Sequence, residues 1–280
     1  MTCADKIIPY SPCVGDCTRC PAKHRAVIYG PVQSRRRGRS LGVNLFPLKK
    51  VCSFDCIYCL RGRTIVKIDR PDISQVQVNI DQVINILKDV LNKIETDTVD
   101  LSGNGEPTLY PYLEELCSEL RKLCDEYGVK SLGIFTNSST LKYENILRAL
   151  RYVDHIEAKL DVSLEEKFKI INRPCETIKF KDVIEGLMKA RKNLNSELAI
   201  QILLLRYITD KGELIVNYSE DDAYNMANIL QKIEPDIVNI YTVYRPVLTS
   251  YKIEKPDIEL MRTYSKILEN AGLKVRLFIE

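Results

Sequence analysis

The chain has 280 residues, of which 45% are hydrophobic and 28% are charged, and its formal net charge is +3. These totals suit a globular protein with a sizeable core, built as one large α/β domain or two small ones. So small a charge is no argument for nucleic acid, and no apolar run reaches the roughly 20 residues of a membrane span. The N-terminus lacks the apolar segment of a signal peptide, so we expect a cytoplasmic protein without a membrane partner.

Cysteines are concentrated at the start of the chain, where seven of the ten lie within the first 59 residues. In a chain without an export signal, metal or redox chemistry is a better explanation of cysteines than disulfides. Cys13, Cys17 and Cys20 form one compact group, and Cys3 could supply a fourth thiolate. We predict a cysteine-rich N-terminal extension over residues 1–40 that holds an auxiliary [4Fe–4S] cluster, in addition to the one predicted below for a later cysteine loop. A structural zinc site is the alternative.

An arginine-rich stretch follows, with Arg35, Arg36, Arg37 and Arg39 within five positions. Such a run is most often a solvated basic face. Because this one directly precedes the first predicted strand of the main array, it could also hold a carboxylate or a phosphate near a site. Contact with nucleic acid is a weaker interpretation, since no aromatic residues are interleaved with the arginines.

The next segment contains three cysteines, Cys52, Cys56 and Cys59, at spacings of four and three. Three thiolates from one loop can hold an iron–sulfur cubane, and they leave one iron without a protein ligand. An open coordination position is typical of a catalytic centre, whereas four ligands are typical of a structural one. The loop therefore predicts a reactive cluster.

From residue 41 onward, segments with strand patterns alternate with segments of helical periodicity. Strands are predicted at 41–46, 98–102, 131–136, 154–160, 198–205, 236–241 and 273–279. Helices are predicted at 80–94, 112–127, 142–151, 179–192, 221–233 and 258–270, with a further short helix after the cysteine loop and Asn79 as an N-cap. Six strand–helix units fall short of a closed eight-unit barrel, so residues 41–280 are predicted to form a partial (β/α)6 barrel.

Polar residues follow the predicted strands, at the edge where parallel strands place a ligand site. The clearest group is the turn Gly103, Asn104, Gly105 and Glu106, in which two glycines allow close backbone approach and Glu106 offers a carboxylate to an ammonium group. Further candidates after the next two strands are Asn137, Lys159 and Asp161.

The three-cysteine loop, with Tyr58 before its last cysteine and the glycine turn ending in Glu106, resembles the radical S-adenosylmethionine (SAM) superfamily. Residues 29–32, 34–42, 102–109, 159–161, 171–174 and 240–246 more narrowly resemble the wyosine-synthetase-like iron–sulfur oxidoreductases. The resemblance implies a partial (β/α)6 barrel of the radical SAM type and a [4Fe–4S] cluster on Cys52, Cys56 and Cys59. The SAM amino group would then lie at residues 103–106, its adenine along Tyr58, and its ribose and carboxylate near Asn137, Lys159 and Asp161.

The implied reaction is reductive cleavage of SAM to a 5′-deoxyadenosyl radical, which abstracts hydrogen from a substrate. A ferredoxin or flavodoxin would supply the electron, and the substrate could be a tRNA base, a protein or a small molecule. Two alternatives stay open at this point. One is a sulfur-insertion enzyme that uses the auxiliary cluster, and the other is a non-catalytic electron-transfer or cluster-assembly protein.

Overall fold

The structure, a computed structural model, describes residues 6–13, 15, 25–244 and 251–279. Its strands are β1 (Ile8–Ser11), β2 (Ala26–Ser34), β3 (Gly38–Val43), β4 (Val51–Cys52), β5 (Val66–Lys67), β6 (Thr98–Leu101), β7 (Ser131–Thr136), β8 (His155–Lys159), β9 (Glu197–Leu204), β10 (Arg206–Ile208), β11 (Leu214–Val216), β12 (Ile237–Thr242), β13 (Lys252–Glu254) and β14 (Val275–Leu277). Its α-helices are α1 (Ile80–Leu91), α2 (Leu113–Glu126), α3 (Glu144–Leu150), α4 (Glu165–Ile171), α5 (Phe180–Asn193), α6 (Glu220–Ile233) and α7 (Ile258–Asn270).

One large sheet organises the fold, with the strand order β1-β2-β3-β6-β7-β8-β9-β12-β14. From β3 to β14 all neighbouring strands are parallel, whereas β2 is antiparallel to β3. Helices alternate with these parallel strands along the chain, which is the predicted α/β array. Two smaller sheets, β11-β10-β13 and β4-β5, lie outside it.

The large sheet is curved, as a partial barrel requires. On a flat sheet, β3 and β14 would stand about 29 Å apart, because six strand spacings separate them. The turn between β2 and β3 nevertheless places the guanidinium of Arg35 5.0 Å from the ring centre of Phe278, the residue next to β14. The sheet therefore bends far enough to bring the β2–β3 turn to the end of β14. The predicted partial barrel is confirmed.

The two faces of the curved sheet differ in polarity. Successive side chains on a strand point to opposite faces, so each parallel strand contributes alternate residues to the concave side. That side carries mostly polar residues around a central cavity, among them Ser40, Ser102, Lys159, Gln201 and Tyr241. The opposite face is apolar and fully buried, and includes Leu41, Val99, Leu132, Ile156, Ile200 and Val238. Hydrophobic burial thus holds the helices outside and leaves the inside for polar chemistry.

Helix starts follow from local sequence where a side chain can cap the first turn. The Asn79 side chain accepts a hydrogen bond from the backbone N–H of Gln82, and the Gln82 side-chain oxygen accepts the backbone N–H of Asn79, so the predicted N-cap of α1 is confirmed. Ser219 and Asp222 form the same reciprocal arrangement at α6. Helices α1 to α3 and α5 to α7 match the predicted helices within a few residues.

Two predicted elements were wrong near the cysteine loop. The short helix expected after the loop is absent: Cys59 and Gly62 donate backbone hydrogen bonds to the residues three positions before them, which are turns rather than an α-helix. The first strand of the parallel array ends at Val43 rather than residue 46. Beyond Val43, the backbone N–H of Asn44 turns to the carbonyl of Val27 and leaves the ladder with β6.

The N-terminal part of the chain is described only in pieces. Cys3, Cys17 and Cys20 lie outside the described residues, and Cys13 is exposed. The division of the chain at residue 40 stays a prediction. Within the described residues, β2 and β3 form a hairpin that crosses this position, and β2 is a strand, buried over its first five residues, inside the predicted N-terminal extension.

Candidate active site

The three-cysteine loop leaves the sheet after β3 and is fixed to the protein on both sides. Phe54 packs edge-on against Phe168 of α4, with ring centres 5.2 Å apart. Asp55 donates its backbone N–H to the carbonyls at the end of α4, and its carboxylate accepts the backbone N–H of Thr64 at 2.8 Å. Arg63 forms an ion pair with the same carboxylate at 2.9 Å. The loop is therefore held in place by packing and hydrogen bonds of the protein itself.

Each of the three sulfurs accepts a hydrogen bond from a side-chain nitrogen. Lys50 Nζ lies 3.1 Å from Cys59 Sγ, Asn137 Nδ2 lies 3.5 Å from Cys52 Sγ, and Asn172 Nδ2 lies 3.7 Å from Cys56 Sγ. Donors aimed at sulfur favour the negatively charged thiolate, which is the form that binds iron. The donor set of the loop thus fits a cluster held by three thiolates.

The protein environment gives the three thiols different pKa values. Burial raises the pKa of Cys52 to about 12 and that of Cys56 to about 11. Burial acts in the same direction on Cys59, but the charge and hydrogen bond of Lys50 outweigh it and lower the pKa of this thiol below its ordinary value. Cys59 is therefore the cysteine that forms a thiolate most readily in the protein without a cluster.

Three thiols in one loop are a donor set that suits a cubane. Across the described ranges of the chain, no three Cys, His, Asp or Glu side chains converge closely enough to hold one ion. Cubane ligands bind three different iron atoms, so their sulfurs need not approach one another as ligands of one zinc ion must.

The glycine turn after β6 lies directly against β4, the strand that contains Cys52. The backbone N–H of Glu106 donates to the carbonyl of Val51, and Gly105 forms a β-bridge with the same residue. Gly105 has φ +88°, and a Cβ there would stand 1.7 Å from the Val51 carbonyl oxygen. Only glycine satisfies both the backbone conformation and the close approach. Gly103 and Gly105 both line the central cavity, so the backbone of the turn faces it.

Glu106 itself points away from the cavity and is 1% exposed. Its carboxylate accepts hydrogen bonds from Thr108 N at 3.1 Å, Thr108 Oγ1 at 2.7 Å, Thr136 Oγ1 at 2.8 Å and Asn137 N at 2.6 Å. Burial raises the pKa of Glu106, and these donors offset part of that effect. The side chain therefore connects the glycine turn to the end of β7.

Tyr58, Lys159 and Asp161 form one connected group on the cavity wall. Asp161 is 2% exposed and accepts hydrogen bonds from the Tyr58 hydroxyl and from Asn172 Nδ2, the latter at 2.9 Å. Lys159 Nζ lies 3.1 Å from Asp161 and donates to the Tyr241 hydroxyl at 2.6 Å. Although burial would lower the pKa of Lys159, Asp161 and Tyr241 raise it above its usual range, so the side chain is a cation.

The central cavity has a volume of about 440 Å³ and joins these groups. It is lined by Tyr58, Cys59, Gly103, Gly105 and Lys159 from the predicted site. Asn104, Glu106, Asn137 and Asp161 do not line it, and of these four Asp161 contacts the lining residues Tyr58 and Lys159 directly. The backbone N–H of Asn104 donates to Asn44 Oδ1 at 2.9 Å. Of the eight predicted SAM-binding residues, four line the cavity, together with the predicted cluster ligand Cys59.

The arginine stretch enters the barrel, where its members differ in role. Arg37 forms a buried ion pair with Asp100 at 3.0 Å and is not exposed to a ligand. Arg36 forms an ion pair with Glu157 at 3.5 Å, and both Arg35 and Arg36 line the cavity at the ends of the curved sheet. The view of a solvated basic face is therefore wrong for Arg37, whereas Arg35 is exposed and Arg36 is half-buried. A tertiary ion pair decides which arginine is structural.

Sequence reasoning did not identify Lys50 and Asn172 as site residues, although both donate to the cysteine sulfurs. Asn172 stood in a segment noted for its family resemblance, but it lies 116 residues beyond Cys56, and only the fold brings these two residues together. For Lys50 the signal was closer, since a lysine two residues before a ligand cysteine is within reach of the loop.

Comparison with known proteins agrees with this geometry. The family model of the radical SAM superfamily matches residues 47–218, more than half of the chain. The chain belongs to the radical SAM superfamily. It is a radical SAM enzyme, and membership of this family implies SAM and a [4Fe–4S] cluster as cofactors and a need for a reductant and a substrate.

Named relatives place the chain more closely within the superfamily. A UPF0026 protein of Helicobacter pylori (strain J99) is 30% identical over 256 residues, which cover 91% of this chain and 74% of that protein. A UPF0026 protein of Methanocaldococcus jannaschii is 30% identical over 84% of this chain and 68% of its own length. The names of these relatives state no activity, so the similarity shows kinship and identifies no substrate.

Solved structures share the fold at low sequence identity. A radical SAM methyltransferase from Sphaerobacter thermophilus aligns with a TM-score of 0.57 at 13% identity, covering 85% of this chain and 66% of that one. SuiB of Streptococcus suis, bound to SAM, aligns with a TM-score of 0.56 at 15% identity over 82% of this chain and 48% of its own. In the described part of the present chain, no helix is long and apolar enough to span a bilayer.

Proposed function

We propose that this radical SAM enzyme reductively cleaves SAM at a [4Fe–4S] cluster on Cys52, Cys56 and Cys59 and abstracts hydrogen from a substrate held in the central cavity. The observation that carries the proposal is the three-thiol loop, whose sulfurs each accept a side-chain N–H beside a glycine turn that opens to the cavity. The cluster would supply the electron that breaks the sulfonium, giving methionine and a 5′-deoxyadenosyl radical.

The residues around the cavity have distinct tasks in this proposal. The backbone of Gly103 and Gly105 binds the SAM amino group, since the carboxylate of Glu106 is already occupied by four donors. Lys159, a cation on the wall, binds the SAM carboxylate, and Tyr58 lies along the adenine. Asp161 acts on both by orienting the Tyr58 hydroxyl and the Lys159 ammonium.

One end of the cavity lies where the β2–β3 turn approaches β14. It is lined by Arg35 and Arg36 together with Tyr241, Tyr244 and Phe278. Arg35 stacks at 5.5 Å from the Tyr244 ring centre, and Arg36 stacks at 5.4 Å from that of Tyr241. Guanidinium groups beside aromatic rings suit a planar substrate that carries a carboxylate or phosphate. A tRNA base, as in the wyosine-synthetase-like group, belongs to this class and is our proposed substrate.

We further propose that Cys3, Cys13, Cys17 and Cys20 hold a second [4Fe–4S] cluster, with zinc as the alternative, and that a ferredoxin or flavodoxin is the reductant. Sulfur insertion with this auxiliary cluster would use the same SAM chemistry.

The decisive experiment is anaerobic loading with iron and sulfide, followed by reduction in the presence of SAM. We expect 5′-deoxyadenosine and methionine in equal amounts from the wild-type protein and neither from the Cys52/Cys56/Cys59→Ala variant. Cys117→Ala is the matched control, because this buried cysteine of α2 lies outside the loop. A cluster-loaded, reduced protein that forms no 5′-deoxyadenosine would exclude the function and leave an electron carrier as its replacement.

The triple cysteine variant also tests the second cluster. About four residual irons per chain would support it, whereas one zinc without iron would show a structural site. Binding of tRNA that weakens with salt and with Arg35→Met and Arg36→Met would favour the nucleic-acid substrate.

A further inference from the structure

Lys50 is a buried cation whose side chain ends at the cysteine loop. The residue is 4% exposed, and its Nζ lies 3.1 Å from Cys59 Sγ and 2.7 Å from the carbonyl of Gly62. Among the described residues, no carboxylate lies within ion-pair distance of this nitrogen. A buried ammonium without a compensating anion is strongly unfavourable. Within the described part of the chain, the cysteine loop is the source of negative charge that this nitrogen contacts.

The cysteine thiolates, and the cluster that they would hold, supply that charge, since Lys50 Nζ lies 3.1 Å from Cys59 Sγ. Among the three donors to the sulfurs, Lys50 is the charged one, since Asn137 and Asn172 donate from neutral amides. Lys50 thus differs in kind from the other two.

We propose that Lys50 is a positioning residue that raises the reduction potential of the cluster, so that a low-potential one-electron donor can reduce it. Reduction adds one electron to the cluster and breaks no bond, and it increases the negative charge that the lysine faces. A fixed positive charge in a dry site stabilises the more negative form, and hydrogen bonds to sulfur act in the same direction. The inference rests on the proposed function, because it requires the cluster on these three cysteines.

Its neighbour Lys49 provides a matched control. Lys49 is exposed and has no ion pair within the described part of the chain, so its removal changes the charge of the protein without changing the contact to Cys59. Lys50→Met removes the charge at similar length, and Lys50→Arg keeps it.

The experiment is a redox titration of the anaerobically loaded proteins without SAM, followed by the electron paramagnetic resonance signal of the reduced cluster. At the midpoint of the wild type, we expect the reduced-to-oxidised ratio of Lys50→Met to be about tenfold lower, a shift of about 59 mV for one electron. Lys49→Met should stay at the wild-type potential, and Lys50→Arg should stay close to it. An unchanged potential in a loaded Lys50→Met protein would overturn the inference while leaving the function intact.

A second measurement needs no variant at position 50. The protein is labelled with ¹⁵N-lysine and studied by pulsed electron paramagnetic resonance. The wild type should show a coupling between the reduced cluster and a lysine nitrogen, and this coupling should persist in Lys49→Met and Lys159→Met. Absence of this coupling would overturn the inference even if no Lys50 variant takes up iron. Failure of the wild type itself to hold a cluster on the three cysteines would refute the proposed function, and with it the inference.

Discussion

The buried pair of Arg37 and Asp100 allows a sharp test of how the arginine turn is used. The Arg37 side chain is 7% exposed and that of Asp100 is 1% exposed. Arg37 Nε lies 3.0 Å from the Asp100 carboxylate, and its Nη2 also donates to Ser131 at 2.9 Å. Replacing Arg37 by Met removes these contacts and leaves the carboxylate buried without its cation.

The expected loss is large because Asp100 cannot reach water. Removing one member of a buried ion pair destabilises a protein by about 3–5 kcal/mol. The Asp100 carboxylate keeps hydrogen bonds from Ser40 at 2.5 Å and Thr98 at 3.0 Å, so we expect the lower end of that range. At about 2–4 °C per kcal/mol, this corresponds to a fall in Tm of roughly 6–12 °C.

Thermal unfolding of the cluster-free protein, followed by circular dichroism, measures this effect. Arg35→Met is the control, since Arg35 only stacks on Tyr244 and Phe278 and should lose about 1 kcal/mol. Adding Asp100→Asn to Arg37→Met should recover part of the stability by removing the unpaired charge. Equal losses in Arg35→Met and Arg37→Met would refute the view that Arg37 is structural and Arg35 faces a ligand.

Three further predictions concern the site and its surroundings. Gly105→Ala should abolish SAM binding, because the new Cβ would stand 1.7 Å from the Val51 carbonyl oxygen. Equilibrium dialysis measures this binding, and an unchanged Kd would contradict the assignment of the glycine turn to SAM. Lys159→Met should raise the Kd for SAM roughly tenfold by removing a charged hydrogen bond, and an unchanged Kd would move the SAM carboxylate elsewhere. Burial would raise the pKa of Glu157, but the hydrogen bond from His155 and nearby charge outweigh it and hold the pKa below its model-peptide value of 4.5. Its ionised form therefore adds stability above about pH 4.5 that is lost as the pH falls through the folded pKa, so the gap in unfolding free energy between wild type and Glu157→Gln should shrink on acidification. A gap that widens in urea titrations below that pH would show the opposite sign.

Patterns within single segments carried much of the prediction. Apolar periodicity located the seven parallel strands and six of the helices, and the Asn79 cap placed the start of α1. The spacing of Cys52, Cys56 and Cys59 identified the loop without any tertiary information. These features depend on neighbours within a few positions, so they are readable in the chain alone.

Other features depended on residues that meet only after folding. The carboxylate of Glu106 was expected at the ligand, but Thr136 and Asn137 from the next strand occupy it. The arginine stretch looked uniform, yet Asp100 takes Arg37 into the core while Arg35 and Arg36 line the cavity. Burial and partner decide such roles, and neither is visible in local sequence.

The amino-acid sequence by itself determined the three thiols, the glycine turn and the order of strands and helices, because each rests on short-range spacing. Only the tertiary structure decided how the sulfurs are surrounded. It brings Asn137 and Asn172 from distant segments to Cys52 and Cys56, and it buries Lys50 against Cys59 with no nearby carboxylate among the described residues. Burial strengthens the electrostatic part of these contacts, because a charge is screened less in the protein interior than in water.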